Sequence, residues 1–341
     1  MSQPHDPALL ERARAGDESA FRSLLDPHRR VLFSHCYRML GSVSDAEDVL
    51  QETLVRAWKG LSGFEGRASL RSWLYRIATN ACMDAIDRRP RRMLPQDRRP
   101  PASLEDPVAP VLDPIWIEPC ADERLDGDVL AAGPDARYGA RETVTLAFLA
   151  ALQVLPALQR AVLLLHDVVG WRAAEIAEYL ATTTAAVNSA LQRARATLES
   201  RFPHGMPEAT ARAPDDASTR ELLVKYVLAW EAADLGALAG LLREDAVLAM
   251  PPVEAWFAGR EAIAAFMAAA KIAGEPGRGR FRFLPGSANG GPAFALYERQ
   301  DDGAFRPFGV QLVRVRDGAV AEIITYVDPG LVTRLGFPPS P

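Results

Sequence analysis

The 341-residue chain has only three cysteines and five histidines, and both scarcities exclude chemistry. Cys36, Cys82 and Cys120 are far apart, and no CxxC or Cys/His cluster offers the spacing zinc requires. They read as reduced thiols, so no metal or other cofactor is expected. Between residues 218 and 335 there is neither histidine nor cysteine, which excludes imidazole or thiol catalysis there. Long apolar runs are missing too: no stretch of about 18 consecutive apolar residues occurs, and residues 1–20 hold no charged, apolar and small-residue leader. The expectation is a cytoplasmic protein with no membrane partner.

A basic excess is also lacking. The net charge of −5 averages over unlike segments: residues 1–92 carry 15 basic and 12 acidic side chains, 93–140 carry 4 and 10, 141–205 carry 6 and 5, and 206–341 carry 14 and 17. Such small excesses give little nonspecific affinity for DNA, because that affinity grows with the number of phosphates neutralised. If the chain meets DNA, it does so alongside something larger.

What is present begins with residues 155–198. Ala174, Ile176, Ala177 and Leu180 share one helical face, Thr182 and Thr183 interrupt it, and Val187, Leu191, Ala194 and Leu198 resume it at steps of four, three and four. Two short amphipathic helices joined tightly read as a helix-turn-helix. The outward face of the second helix is Thr184, Asn188, Ser189, Gln192, Arg193 and Arg195, groups able to bond base edges and phosphates. Taken alone, an ordinary hairpin with a solvated face has the same pattern.

Residues 7–89 are helical in pattern. Asp45 is placed to cap a helix with Ala46, Val49, Leu50, Thr53, Leu54, Ala57, Trp58 and Leu61 on one stripe and Asp48, Gln51, Glu52, Arg56 and Lys59 opposite. Ser69 caps a second helix, in which Leu70, Trp73, Leu74 and Ile77 face inward and Asn80, Asp84 and Arg88 recur outward at steps of four, with Arg76 one step earlier. Residues 93–140 are acidic and proline-rich and read as a linker; Ile115, Trp116 and Ile117 form its one apolar island, costly to leave wet and so expected to dock. A further amphipathic helix is expected over 141–154 and a short linker over 204–217. From residue 218 to 335, helical patterns at 219–232, 235–243 and 260–270 alternate with strand patterns at 246–250, 280–283, 293–299, 308–315 and 320–327, with hairpin signals at Gly290-Gly291 and Asp317-Gly318. Helices followed by a strand meander point to an α+β domain.

The DAEDVLQETLVRAW helix, the WLYRIATNACMDAIDRR helix and the later helix-turn-helix together resemble an extracytoplasmic-function sigma factor of bacterial RNA polymerase. The C-terminal segment is similar to the SnoaL-like, ketosteroid-isomerase-shaped domain fused to certain actinobacterial sigma factors. The fold expected is therefore multidomain: all-α region 2 at 7–92, the linker, all-α region 4 at 141–203, the second linker, and a cone-shaped α+β domain at 218–335. The resemblance implies that Asp48, Gln51, Glu52, Arg56 and Lys59 bind core RNA polymerase. It implies that the loop 64–69, with Arg67 and Ser69, pockets a flipped minus-10 base beside Arg76, Asn80, Asp84, Arg88 and Arg89. It also places Thr184, Asn188, Ser189, Gln192, Arg193 and Arg195 at the minus-35 element. Where many family members carry a basic pair in the style of V-K-S-R-L, this chain has Val187-Asn188-Ser189-Ala190-Leu191, which weakens phosphate anchoring.

Two other readings stay open. A cone-shaped domain can enclose a ligand pocket, here with Trp230, Met250, Trp256, Phe266 and Tyr326 as candidate walls for a small molecule. Asp245, Glu254, Glu298, Glu322 or Asp328 with Tyr226, Tyr297 or Tyr326 could act there on a ketone-like substrate, making the domain an enzyme tethered to a DNA-binding regulator. A polymerase-independent helix-turn-helix repressor is the other, and it leaves the first module unexplained. The preferred reading is a sigma factor, not an enzyme, with the C-terminal domain and the Trp116 island controlling activity by docking on region 2 or 4.

Overall fold

In the computed structural model, residues 7–66, 68–106, 109–111, 113, 115–125, 145–201, 217–270, 272, 274 and 277–341 are described. Arg67, the first residues of the helix expected from 141, and nearly all of the 204–217 linker lie outside them. The chain forms two compact units: Met1–Arg92 with Glu123–Met206, and Met93–Asp122 with Pro207–Pro341.

The described elements of the first unit are helical. Helix α1 (Pro7–Arg14) precedes α2 (Glu18–Leu40), whose first turn is capped by Asp17 accepting from the Ala20 N–H at 3.0 Å. Gly41, at φ 69°, ends α2 in a left-handed turn, and a Cβ there would meet the Gln153 amide at 3.2 Å. Helix α3 (Val43–Gly60) buries Ala46, Val49, Thr53 and Ala57. Its cap is Ser42 and not Asp45: Ser42 has the extended backbone of a cap, and its Oγ accepts from the Asp45 N–H at 3.1 Å. Asp45 already lies in the first turn, and its carboxylate accepts from Arg89 and Arg92. Ser69 does cap α4 (Leu70–Ile86), accepting from the Ser72 N–H at 3.1 Å. Leu32, Cys36, Met39, Leu74, Ala78 and Ala81 are fully buried where α2, α3 and α4 meet.

Buried in this core, His35 bonds Thr79 Oγ1 at 2.9 Å and meets the Tyr75 ring edge-on at 5.1 Å. Burial, aided by the nearby Arg38 charge, lowers its pKa from 6.5 to about 3, so it folds as neutral imidazole. The unfolded chain then binds the extra proton below pH 6.5, and stability present above that pH is lost as pH falls toward 3. Between pH 6.5 and 5 the loss reaches at most about 2 kcal/mol. Denaturant titrations at pH 7 and 5 are expected to show this slope, and His35→Gln to remove it.

The later helices of the first unit are α5 (Leu146–Gln153), α6 (Ala157–Leu163) running into a π turn at Leu164–Val168, α7 (Ala173–Tyr179) and α8 (Thr184–Arg201). Val187, Leu191, Ala194 and Leu198 are buried, as their spacing predicts. The interruption at Thr183 is the start of α8, where Thr183 Oγ1 accepts from the Ala186 N–H at 3.1 Å.

The second unit packs α9 (Ala217–Glu231), α10 (Leu235–Leu241) and α11 (Arg260–Ala269) on one face of a six-stranded sheet. Its strands are β1 (Leu242–Ala249), β2 (Trp256–Ala258), β3 (Phe281–Ala288), β4 (Gly291–Arg299), β5 (Phe305–Arg316) and β6 (Ala319–Tyr326), followed by helix α12 (Pro329–Arg334). The order is β2-β1-β6-β5-β4-β3, with β1 and β6 parallel and the other pairs antiparallel. The β3–β4 turn sits one residue earlier than Gly290-Gly291 suggests: Asn289 and Gly290 both have positive φ, as a two-residue hairpin turn needs. Strand β3 runs past Phe283 through Pro285-Gly286, and Gly286 is needed there because a Cβ would lie 2.6 Å from the Phe337 ring.

The 93–140 segment is not a linker throughout. Over Met93–Asp122 it belongs to the second unit, with Trp116 bridged to Met93 and Ile115, Trp116, Ile117 and Cys120 buried. It lies against the sheet face opposite Ile323: Tyr326 Oη donates to the Ile117 carbonyl at 2.7 Å, and Gln96 Nε2 to Glu322 at 3.1 Å. Asn289 Oδ1 accepts from the Cys120 N–H at 2.9 Å, and Trp256 Nε1 donates to the Arg99 carbonyl at 2.7 Å. Trp116 therefore docks on the C-terminal domain, where docking on region 2 or 4 had been expected. Backbone pairing and buried apolar side chains hold a stretch whose prolines hide any periodicity.

Candidate nucleic-acid interface

Between α3 and α4 the chain makes a 3-10 turn, Leu61–Gly63, and then a loop that Phe64 pins down. Phe64 is buried against Trp73 at 5.1 Å between ring centroids, and its carbonyl accepts from Arg14. Gly66 takes φ 74°, a left-handed conformation that favours glycine. The loop borders a cavity of about 600 Å³ with Ser69, Ser72, Trp73 and Arg76 on the same wall. Trp73, read from its neighbours as core, is only half-buried and also faces this cavity. Ser69 Oγ is shared between its cap and Ser72 Oγ at 2.9 Å.

From the cavity, Arg76, Asn80, Asp84 and Arg88 run along the exposed face of α4. Asp84 is tied to α3 by Arg56, which donates to it at 3.0 Å and also pairs with Glu52. The two carboxylates, Asp84 first, hold the Arg56 guanidinium above its ordinary pKa. Arg56 thus ties the polar face of α3 to that of α4. Arg89 points elsewhere: its guanidinium is taken by Asp45 and by Asp48 at 3.3 Å, so phosphate would compete with two carboxylates. Gln51 and Lys59 remain exposed on α3. Beside Gln51, Arg124 donates to Glu47 and lies over the Phe33 ring at 4.4 Å, contacts between residues far apart in the chain that no local pattern signals.

On α8, Thr184, Asn188, Ser189, Gln192 and Arg193 are exposed together. Arg195 is engaged at its side, donating to Asp167 at 2.9 Å. The surface is polar, with Arg193 as its exposed cation, which suits hydrogen-bond readout better than phosphate anchoring.

The candidate ligand walls of the C-terminal domain are divided between its core and its bonds to the 93–122 segment. Trp230 and Phe266 are core, the first against Phe283 at 5.5 Å and the second stacked on Phe257 at 4.3 Å, with Met250 packed beside them. Trp256 and Tyr326 bond the 93–122 segment. All five candidate carboxylates are paired with arginine: Asp245 with Arg243, Glu254 with Arg98, Glu298 with Arg280, Glu322 with Arg314 and Asp328 with Arg334. Tyr226, fully buried, donates to Gln311, which donates to Thr325 at 2.8 Å. Among the described residues no cluster of His, Cys, Asp and Glu could hold a metal ion, and no helix is long and apolar enough to cross a membrane.

Residues 24–92 match the Sigma-70 region 2 family, 145–198 the Sigma-70, region 4 family, and 223–323 the SnoaL-like domain family. Over 328 residues the chain is 42% identical to the ECF RNA polymerase sigma factor SigG of Mycobacterium tuberculosis, covering 96% of this chain and 85% of that one. The chain belongs to the extracytoplasmic-function family of RNA polymerase sigma factors. The sigma factor is also 33% identical to SigM of M. tuberculosis over 193 residues, 57% of its own length and 82% of that relative. The crystal structure of M. tuberculosis SigJ, another extracytoplasmic function sigma factor, aligns with a TM-score of 0.58 at 23% identity over 95% of the sigma factor and 100% of SigJ, a likeness of fold. Membership makes core RNA polymerase and promoter DNA its partners and promoter-directed initiation its function.

Proposed function

We propose that the sigma factor takes the minus-10 strand along the 64–69 loop, Arg76, Asn80, Asp84 and Arg88, reads the minus-35 duplex with Thr184, Asn188, Ser189, Gln192 and Arg193, and docks polymerase on the α3 face of Asp48, Gln51, Glu52, Arg56 and Lys59. The C-terminal domain regulates and does not catalyse. The observation carrying this is the Met93–Asp122 segment, which joins the two DNA-binding modules in sequence and is built into the C-terminal unit. A partner or small ligand that prefers the held or the released segment shifts how far the modules can separate. The arginine pairing of all five candidate carboxylates supports a regulatory domain, because each carboxylate is already engaged by a guanidinium.

Tyr326→Phe with Trp256→Phe removes two of the bonds that hold the segment. With each bond worth about 1 kcal/mol, promoter-directed transcription by core polymerase and this variant is expected to change by about threefold or more. Faster proteolysis within 93–122 should accompany the change. Faster proteolysis with unchanged transcription would reject the regulatory reading.

A further inference from the structure

Another cavity of the first unit, of about 410 Å³, has Arg89, Arg91, Gln153 and Arg160 on its wall. Arg160 carries a buried charge with no anionic partner. Its four acceptors, three carbonyls and the Gln153 side-chain oxygen, are all neutral. Burial holds the nearby Cys82 thiol protonated, well above its ordinary range, and the charge of Arg91 repels that of Arg160. Two carboxylates share the wall, and neither compensates it: Asp45 is engaged by Arg89 and Arg92, and Asp87 is exposed. Arg91 is exposed too and pairs with no carboxylate among the described residues. Two donors go unused, Arg160 Nε and Gln153 Nε2, both buried, on residues only 3% and 4% exposed. An unpaired buried cation is costly, and its field in an adjoining cavity with low-dielectric walls is little screened.

We propose that this cavity is a site for a phosphate dianion, free or as the head of a small phosphomonoester, drawn by the charges of Arg91 and Arg160 and bonded by the donors they and Gln153 leave unused. Guanidinium N–H groups match the oxygens of phosphate, and two positive charges facing one cavity favour a dianion over chloride. Between the polar groups the wall is aliphatic, with Leu40, Ile86, Val154 and Leu155. It offers no ring on which a base could stack, so the occupant expected is smaller than a nucleotide. Occupancy would make the stability of the first unit depend on phosphate concentration.

The test is isothermal titration calorimetry of the full chain in chloride buffer at constant ionic strength, with inorganic phosphate and glycerol phosphate as probes. Phosphate is expected to bind one site with a Kd of about 0.1 to 1 mM. Tighter binding of the monoester assigns the site to a phosphorylated metabolite, and tighter binding of inorganic phosphate assigns it to the free ion. Arg91→Ala should weaken binding about tenfold, the scale of a hydrogen bond between charged groups. Asp87→Asn should tighten it about threefold, the scale of a solvent-screened charge pair. Both positions are exposed, so the fold should persist in each variant. Absence of binding up to about 10 mM of either probe overturns the proposal. Binding that neither substitution changes overturns it as well, because the ion then sits elsewhere.

Discussion

Replacing Arg160 by methionine is expected to destabilise the first unit by about 3 kcal/mol, because four buried acceptors lose their donor at once. Arg160 is 3% exposed, and its guanidinium donates to the Gln153 side chain at 2.7 Å, the Gln153 carbonyl at 3.1 Å, the Leu155 carbonyl at 3.0 Å and the Met39 carbonyl. It thereby ties the α5–α6 connection to the end of α2. Burial pushes its pKa down to about 10, which still leaves it charged at neutral pH. Two effects oppose each other: methionine removes a buried charge, which is favourable, and strands the acceptors, which is not. The second wins because carbonyls fixed by helix ends cannot turn toward water. Lysine, with three donors and no planar fork, should lose roughly half as much. Urea titrations followed by circular dichroism check this; an unchanged midpoint for the methionine variant would show that the network adds nothing.

Arg76→Ala with Asn80→Ala is expected to reduce promoter-directed initiation by about a hundredfold, taking each lost strand contact at roughly tenfold. Both side chains are exposed on α4, so the fold should persist. Polymerase binding should persist too, since Gln51, Glu52 and Lys59 are untouched on α3. Gel-shift titration against core polymerase separates the two effects: equal affinity with lost initiation places the defect at the DNA.

Several of these features are readable from sequence because local periodicity carries them. The steps of four, three and four through Val187, Leu191, Ala194 and Leu198 fix the buried face of α8 and therefore its outward face. Apolar runs along β4, β5 and β6, buried on both faces, mark the sheet. The α3 cap was misplaced because Asp45 and Ser42 are both good cap residues, and only the backbone distinguishes them. The docking of residues 93–122 was hidden because its partners lie far along the chain: Arg99 meets Trp256, Gln96 meets Glu322 and Ile117 meets Tyr326. The same holds for Trp171, whose ring meets Tyr75, a partner nearly a hundred positions earlier in the chain. Arg89 shows the converse, a basic residue in a basic tail that two aspartates already hold.

Run-off transcription from a pool of genomic promoter fragments, with core polymerase and the full chain, tests the central claim most directly. Discrete products that need both proteins, and that fall about a hundredfold with Arg76→Ala and Asn80→Ala together, are the predicted result. Products of equal yield and identical start sites from the variant would contradict the assignment of the 64–69 loop and α4 to the minus-10 strand.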